Sequence, residues 1–172
     1  MSIERDFPAA RLKLRDVSSS PEDRLIRPPW TTETSIQNHC TGCDACVRAC
    51  PQLILRPDKD NKPFVDFDAG ECTFCEKCAL ACEEPVFDLA KSAPWKHTSV
   101  VASNCLQNNG TSCQLCSDVC PVSAFKIETA GAREGHIVVD AGLCTGCGSC
   151  VSTCPLGAVS VKELPEANPV AA

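Results

Sequence analysis

Hydrophobic and polar positions alternate along this chain only in short stretches, so the elements they predict are short. Phe64-Val65-Asp66-Phe67 alternates and is rich in strand formers, and His136-Ile137-Val138-Val139 repeats the pattern. Leu53-Ile54-Leu55, Phe125-Lys126-Ile127 and Val159-Ser160-Val161 predict three further strands, with Gly131 and Gly135 flanking a turn between two of them. Pro51 and Pro121 follow Cys50 and Cys120 where proline suits a first helical turn, so short helices are expected to begin there. The result is an α+β unit of two small hairpins and two short helices, present twice. No apolar stretch reaches the roughly 18 residues of a membrane span.

The doubling is written outside the elements as well. Pro29-Trp30 stands ten residues before Cys40, and Pro94-Trp95 ten before Cys105. Asp68-Ala69-Gly70 leads into Cys72 as Asp140-Ala141-Gly142 leads into Cys144. Chance matching of Cys-rich segments does not align such landmarks. The expected organisation is an arm (1–28), a first half (29–93), a second half (94–165) and a tail (166–172). Residues 83–93 are read as the linker between the halves.

Composition sharpens this picture. Sixteen of 172 residues are Cys, a density found in disulfide scaffolds and metal proteins. The N-terminal sequence MSIERDFPAARLKLRDV shows neither an apolar h-region nor a small-residue cleavage site. The expectation is a cytoplasmic chain in a reducing compartment, where thiols stay free to bind metal. Aromatics make up only 5% and Tyr is absent, so a core without cofactors would be thin. The formal charge is −6, which disfavours nucleic acid as a partner and favours a protein with a basic docking patch. Four cubane clusters at −2 each would take the loaded protein to about −14.

Three runs share one spacing: Cys40-x2-Cys43-x2-Cys46-x3-Cys50, Cys72-x2-Cys75-x2-Cys78-x3-Cys82 and Cys144-x2-Cys147-x2-Cys150-x3-Cys154. This is the bacterial ferredoxin run for a [4Fe–4S] cluster. Three thiolates two residues apart wrap a loop around one cubane face, and Gly42, Gly146 and Gly148 let that loop turn backbone N–H groups toward sulfur. The remaining run is widened, Cys105-x7-Cys113-x2-Cys116-x3-Cys120, and its insert carries the turn sequence Asn108-Asn109-Gly110. A [3Fe–4S] or labile cluster stays open for that site. Zinc is the competing reading. A zinc site built from four cysteines needs two C-x2-C pairs but neither the third thiol at x2 nor the fourth at x3.

In two-cluster ferredoxins the fourth Cys of one run serves the other cluster. The repeat makes each half such a unit. The expected ligand sets are Cys40, Cys43, Cys46 and Cys82; Cys72, Cys75, Cys78 and Cys50; Cys105, Cys113, Cys116 and Cys154; and Cys144, Cys147, Cys150 and Cys120. His39, His97 and His136 are ordinary side chains beside these sets, and Trp30 and Trp95 are read as packing on cluster loops. Arg24, Arg27 and Trp30 together form a candidate docking segment for a partner. No triad order, nucleotide loop or catalytic carboxylate pair stands out, so the chain is read as a non-enzyme.

The lead-in Ile26-Arg27-Pro28-Pro29-Trp30, the run His39-Cys40-Thr41-x-Cys43-Asp44-Ala45-Cys46, the segment Glu71-Cys72-x-Phe74-Cys75 and the widened third run together resemble the NapF family of ferredoxin-type proteins. The resemblance covers about residues 25–165. It implies two tandem ferredoxin-like modules with [4Fe–4S] clusters and a cytoplasmic accessory role. The implied partner is the catalytic subunit of periplasmic nitrate reductase, acted on before export and helped to assemble its own cluster. Residue types and spacing alone imply electron transfer between a redox donor and an oxidoreductase.

Overall fold

The structure is a computed structural model that describes residues 25–91, 93–128 and 135–164. Helix α1 (Glu33–His39) opens the first half. Thr32 caps it: its hydroxyl accepts from Ser35 N while the Ser35 hydroxyl accepts from Thr32 N, each at 3.0 Å. That reciprocal box satisfies orphan donors of the first turn. Ile36, fully buried, anchors the helix, and Cys40 at its extended end enters the first Cys run.

Two short helices follow, α2 (Ala45–Ala49) and α3 (Lys77–Leu80), packed on each other. Between them β1 (Leu55–Pro57) and β2 (Pro63–Val65) pair antiparallel with Arg56 opposite Phe64. The Asp58 carboxylate closes this hairpin by accepting from Asp60 N at 2.9 Å and Lys62 N at 2.8 Å. In the second half α4 (Leu115–Asp118) and α5 (Ser149–Thr153) repeat the helix pair. There β4 (Phe125–Glu128) pairs with β5 (His136–Val139), Ile127 opposite Ile137. A second sheet joins β3 (His97–Val101) to β6 (Val159–Glu163), with Ser99 opposite Val161.

Several expectations change. The helices precede the Cys-Pro steps and do not follow them. Cys50 and Cys154 are extended at the ends of α2 and α5, because a residue before proline is pushed out of the helical region. Proline therefore stops each helix. Leu53 adopts φ 55° in a turn, so the strand expected over 53–55 begins at Leu55. Strand β2 ends at Val65, where Asp66 N turns to Ile54 O at 2.7 Å. Strand β3 is an addition to the expected elements, and its first-half counterpart is helical α1. Among the described residues the first half thus has one two-stranded sheet, not two hairpins. The expected turn at Gly131, residues 1–24 of the arm and the tail from 165 lie outside the described residues.

The halves share a seam. Ile54, Leu55, Val65 and Phe67 of the first half form a buried cluster with Val161 of the second, and Trp95 and Val151 pack against it. Phe74 stands edge-on between the two repeat tryptophans, with centroids 6.3 Å from Trp30 and 5.5 Å from Trp95. Main-chain bonds cross as well: Trp30 N to Pro94 O at 2.6 Å and Cys72 N to Cys147 O at 2.8 Å. The few aromatics are thus concentrated where two small modules need a common core. Residues 83–91 pack on the first half: Val86 is buried and Asp88 N bonds Trp30 O at 2.8 Å. A second buried cluster, Phe125, Ile137, Ala158 and Val159, lies within the second half together with Cys105, Cys116 and Cys150.

Arg27 is turned onto its own chain. Its guanidinium donates to Glu33 at 2.7 Å, to Asp58 at 2.9 Å and to Pro63 O at 3.1 Å, with the Asp58 side chain only 8% exposed. It fastens the lead-in to α1 and the first hairpin, so the docking role expected of Arg27 is replaced by a structural one. Glu33 is the main influence holding the guanidinium pKa above its ordinary value. Arg24 lies outside the described residues.

Candidate metal centres

Each uniform Cys run is shaped by left-handed residues on both sides of its second Cys. They are Gly42 and Asp44 in the first run, Phe74 and Glu76 in the second, and Gly146 and Gly148 in the fourth. Alternating right- and left-handed residues turn successive N–H groups toward one point, a concavity suited to anions such as thiolate and sulfide. Non-Gly residues there cost on the order of 1–2 kcal/mol each, so the loop conformation is held against local preference. At Gly148 the requirement is also steric: a Cβ would sit 1.9 Å from Phe67 Cδ1.

The thiols gather across runs. One cavity is lined by Cys40, Cys43, Cys46 and Cys82, with Gly42, Asp44 and Val86 around them. A second is lined by Cys50, Cys72, Cys75 and Cys78 beneath Trp30 and Phe74. A third is lined by Cys105, Cys113, Cys116 and Cys154, with Leu115 and Leu156 at its edge. In each, three thiols come from one run and the fourth from the other run of the same half. Ser99 draws together Cys144 and Cys150 of the remaining set. Ser149 beside Cys150 bonds Val119 O beside Cys120 at 3.4 Å.

All sixteen Cys are free thiols. Among the described residues no three Cys, His, Asp or Glu side chains stand close enough to hold a single metal ion. Three of the sets line cavities, as ligands of a multi-iron cubane must. The donor chemistry fits as well. Burial pushes Cys46, Cys78 and Cys150 up to about 12 and Cys72 and Cys116 up to about 11. Such thiols hold their protons at neutral pH unless a cation replaces them, and cluster iron would supply that charge. Peptide N–H groups already point at sulfur: Ala124 N to Cys120 at 3.3 Å and Ala158 N to Cys154 at 3.2 Å. At Cys144 burial raises the pKa, but the N–H groups of Ser99 and Gly146 and the hydroxyl of Ser99 outweigh it, and the net shift is downward.

The widened third run is ordered by its own insert. Leu106 to Ser112 holds a 3₁₀ turn, Gln107–Asn109, closed by Gly110 at φ 83°. The buried Gln107 amide donates to Gly135 O at 2.8 Å and accepts from Cys113 N at 3.0 Å. Asn108 accepts from Ile137 N, and Asn109 donates to Cys105 O at 2.7 Å. The loop therefore packs on β5, with Cys105 buried beside the site.

Residues 39–86 and 104–158 match the family of 4Fe–4S dicluster domains. The ferredoxin-type protein NapF of Haemophilus influenzae is 42% identical over 142 residues, covering 81% of this chain and 80% of that protein. The chain belongs to the NapF family of ferredoxin-type 4Fe–4S proteins. NapF of Escherichia coli K12 is 35% identical over 81% of this chain and 85% of its own length. A methylamine utilization ferredoxin-type protein, MauM of Paracoccus denitrificans, is 33% identical over 86% of this chain and 75% of its own. Family membership makes this an iron–sulfur protein with two dicluster segments, one in each half.

The remaining expected residues fall into place around the sites. His39 and His136 are exposed. His97 meets Trp95 edge-on with ring centroids 5.3 Å apart. Trp95 donates to Thr145 O at 2.8 Å inside the fourth run, so this tryptophan does pack on a cluster loop, as Trp30 does over the second set. The Ser99 hydroxyl and the Gln107 amide escape the sequence reading. A signal for the first is present in His97-Thr98-Ser99-Val100-Val101, a run of strand-forming residues shortly before Cys105. Among the described residues no helix is long and apolar enough to cross a membrane.

Proposed function

We propose that the sixteen Cys hold four [4Fe–4S] clusters in the cross-run sets given above, and that the chain relays single electrons to a partner oxidoreductase. The observation that supports this reading is the junction between halves, where Cys72 N donates to Cys147 O. It sets the second set beside the fourth. Cys46 lies within electrostatic reach of Cys78, and Cys150 of Cys116, which sets the first beside the second and the fourth beside the third. These contacts link the sets in the order first, second, fourth, third. The clusters supply one-electron redox chemistry. The chain fixes their order, excludes water from the inner thiols and aims N–H donors at sulfur. It is not itself an enzyme.

The partner we assign is the catalytic subunit of periplasmic nitrate reductase, met in the cytoplasm; the NapF resemblance supports this. The net charge of −6 favours a basic face on that partner. The test mixes reduced holo-protein with the oxidised subunit in a stopped-flow instrument. Reoxidation of the iron–sulfur absorbance on mixing is expected, and a lack of reoxidation overturns the relay.

A second reading, cluster loading during maturation of that subunit, is favoured by a difference between the halves. Cys43 and Cys75 are exposed, whereas their counterparts Cys113 and Cys147 are partly covered. Thiolates open to solvent exchange iron more readily. Loading predicts that labelled iron moves from the first-half sites to the apo-subunit, and a pull-down in which the label stays behind rejects it.

A further inference from the structure

The fourth set differs from the second in one respect that the repeat does not explain. Strand β3 lays Ser99, only 3% exposed, against two of its thiols. Ser99 N donates to Cys144 Sγ at 3.4 Å, and Ser99 Oγ lies 3.2 Å from Cys150 Sγ and 3.6 Å from Cys144 Sγ. With Trp30 aligned on Trp95, the position of Ser99 falls in the first half on Thr34, exposed on α1. The second set faces Pro29 and Trp30 in place of a strand. The two sites therefore differ in their donors: a buried hydroxyl and a strand N–H lie against the sulfurs of the fourth, whereas the aligned first-half position is exposed on α1.

We propose that Ser99 is a positioning residue that raises the reduction potential of the fourth cluster above that of the second, so that electrons run downhill across the junction between the halves. The physical reason is charge. Taking up one electron makes a cluster and its thiolates more negative by one, and donors aimed at the sulfurs stabilise the reduced form more than the oxidised form. When Cys150 is a thiolate it has no proton to give, so the Ser99 hydroxyl becomes the donor. Ser99 is well placed for this, since burial removes the water that would compete for the sulfur and strengthens the bond. The inference rests on the relay reading, but it makes a claim about the isolated chain that needs no partner.

The test is a dithionite titration of the holo-protein followed by electron paramagnetic resonance, with each cluster taking one electron from the titrant. Ser99→Ala removes the hydroxyl and keeps the strand N–H. One of the four transitions is expected to move to lower potential by about a tenfold change in its reduction equilibrium, about 59 mV for one electron. The other three act as internal references. Ser99→Thr, which retains a hydroxyl and suits a strand, is expected to restore the value. Four unmoved transitions in Ser99→Ala with full iron content overturn the proposal. So does a loss of iron in Ser99→Ala with the surviving potentials unchanged, because Ser99 is then structural. Stopped-flow mixing with a partner that fails while the potential shift is present rejects the relay and leaves the tuning role standing.

Discussion

Gly148→Ala tests whether the two halves are held by a close fit at one glycine. Gly148 sits at φ 84° at the start of α5, with the Phe67 ring of the first half pressed over it. An added Cβ would lie 1.9 Å from Cδ1, 2.4 Å from Cε1 and 2.6 Å from Cγ. The left-handed conformation itself costs an L-residue about 1–2 kcal/mol. The ring, only 7% exposed and packed with Ile54, Leu55 and Val161, has little room to retreat, so overpacking adds about 1–3 kcal/mol. The sum is about 2–5 kcal/mol. For a chain of this size that lowers the apparent melting midpoint by about 5–15 °C. The assay is anaerobic thermal unfolding of the iron-loaded protein at a fixed scan rate, since unfolding with cluster loss is irreversible. The partner change is Phe67→Ala. In the double variant the clash disappears, and its loss should be smaller than the two single losses added together. A midpoint for Gly148→Ala within about 2 °C of the parent refutes the reasoning. Strict additivity in the cycle refutes the assignment to Phe67.

Four other expectations are open to direct measurement. Gln107→Ala strips the insert of its bond to Gly135 O and leaves Cys113 N unpaired, at about 1–3 kcal/mol, and should lower iron content at the third site before the others. Asp58→Ala leaves the buried Arg27 guanidinium with Glu33 and Pro63 O alone and should destabilise the first half by about 3 kcal/mol, read by denaturant unfolding. Trp95→Phe keeps the contact with Phe74 but loses the bond to Thr145 O, for about 1 kcal/mol at the fourth loop, again read by denaturant unfolding. Iron chelation under reducing conditions should erase cooperative unfolding, since buried thiols at four sites then line empty space; a sharp transition in the apo-protein near that of the holo form would count against this.

The metal chemistry is legible in the sequence because it is local. Ligand spacing, the glycines of the loops and the repeat landmarks are all set within a few residues, and the NapF kinship rests on them. The strands Phe125–Glu128, His136–Val139 and Val159–Glu163 are legible for the same reason: β-branched and aromatic residues in short alternating runs. What the sequence hides is non-local or depends on which side of a proline the helix lies. Pro51 is ambiguous because proline fits a first helical turn and also stops a preceding helix, and only the thiol geometry decides between them. Arg27 reads as a docking residue because its partner Asp58 is 31 residues away. The seam is invisible because its residues, Phe67, Phe74, Gly148 and the two tryptophans, look like separate features of separate repeats.

That seam accounts for the unequal halves. A duplicated two-cluster module of about 65 residues buries too little apolar surface to be secure alone, and clusters contribute only once loaded. Joining two copies adds a shared core, but two identical copies cannot each offer both the ring and the gap that receives it. Here the first half supplies Phe67 and Phe74 and the second supplies Gly148 and Trp95. The aligned positions have diverged: Glu76 stands in the first half where the second has Gly148, and Phe74 where the second has Gly146. The same divergence replaces α1 with β3 and so brings Ser99 to the fourth set. Docking the halves and distinguishing their clusters are thus consequences of one asymmetry. A chain rebuilt from two copies of its first half should therefore bind iron in each module yet fail to hold the modules together, so that cleaving the connection between them releases two separate modules on gel filtration. Co-elution of the cleaved modules would show that the seam does not depend on the Phe67–Gly148 and Phe74–Trp95 pairings.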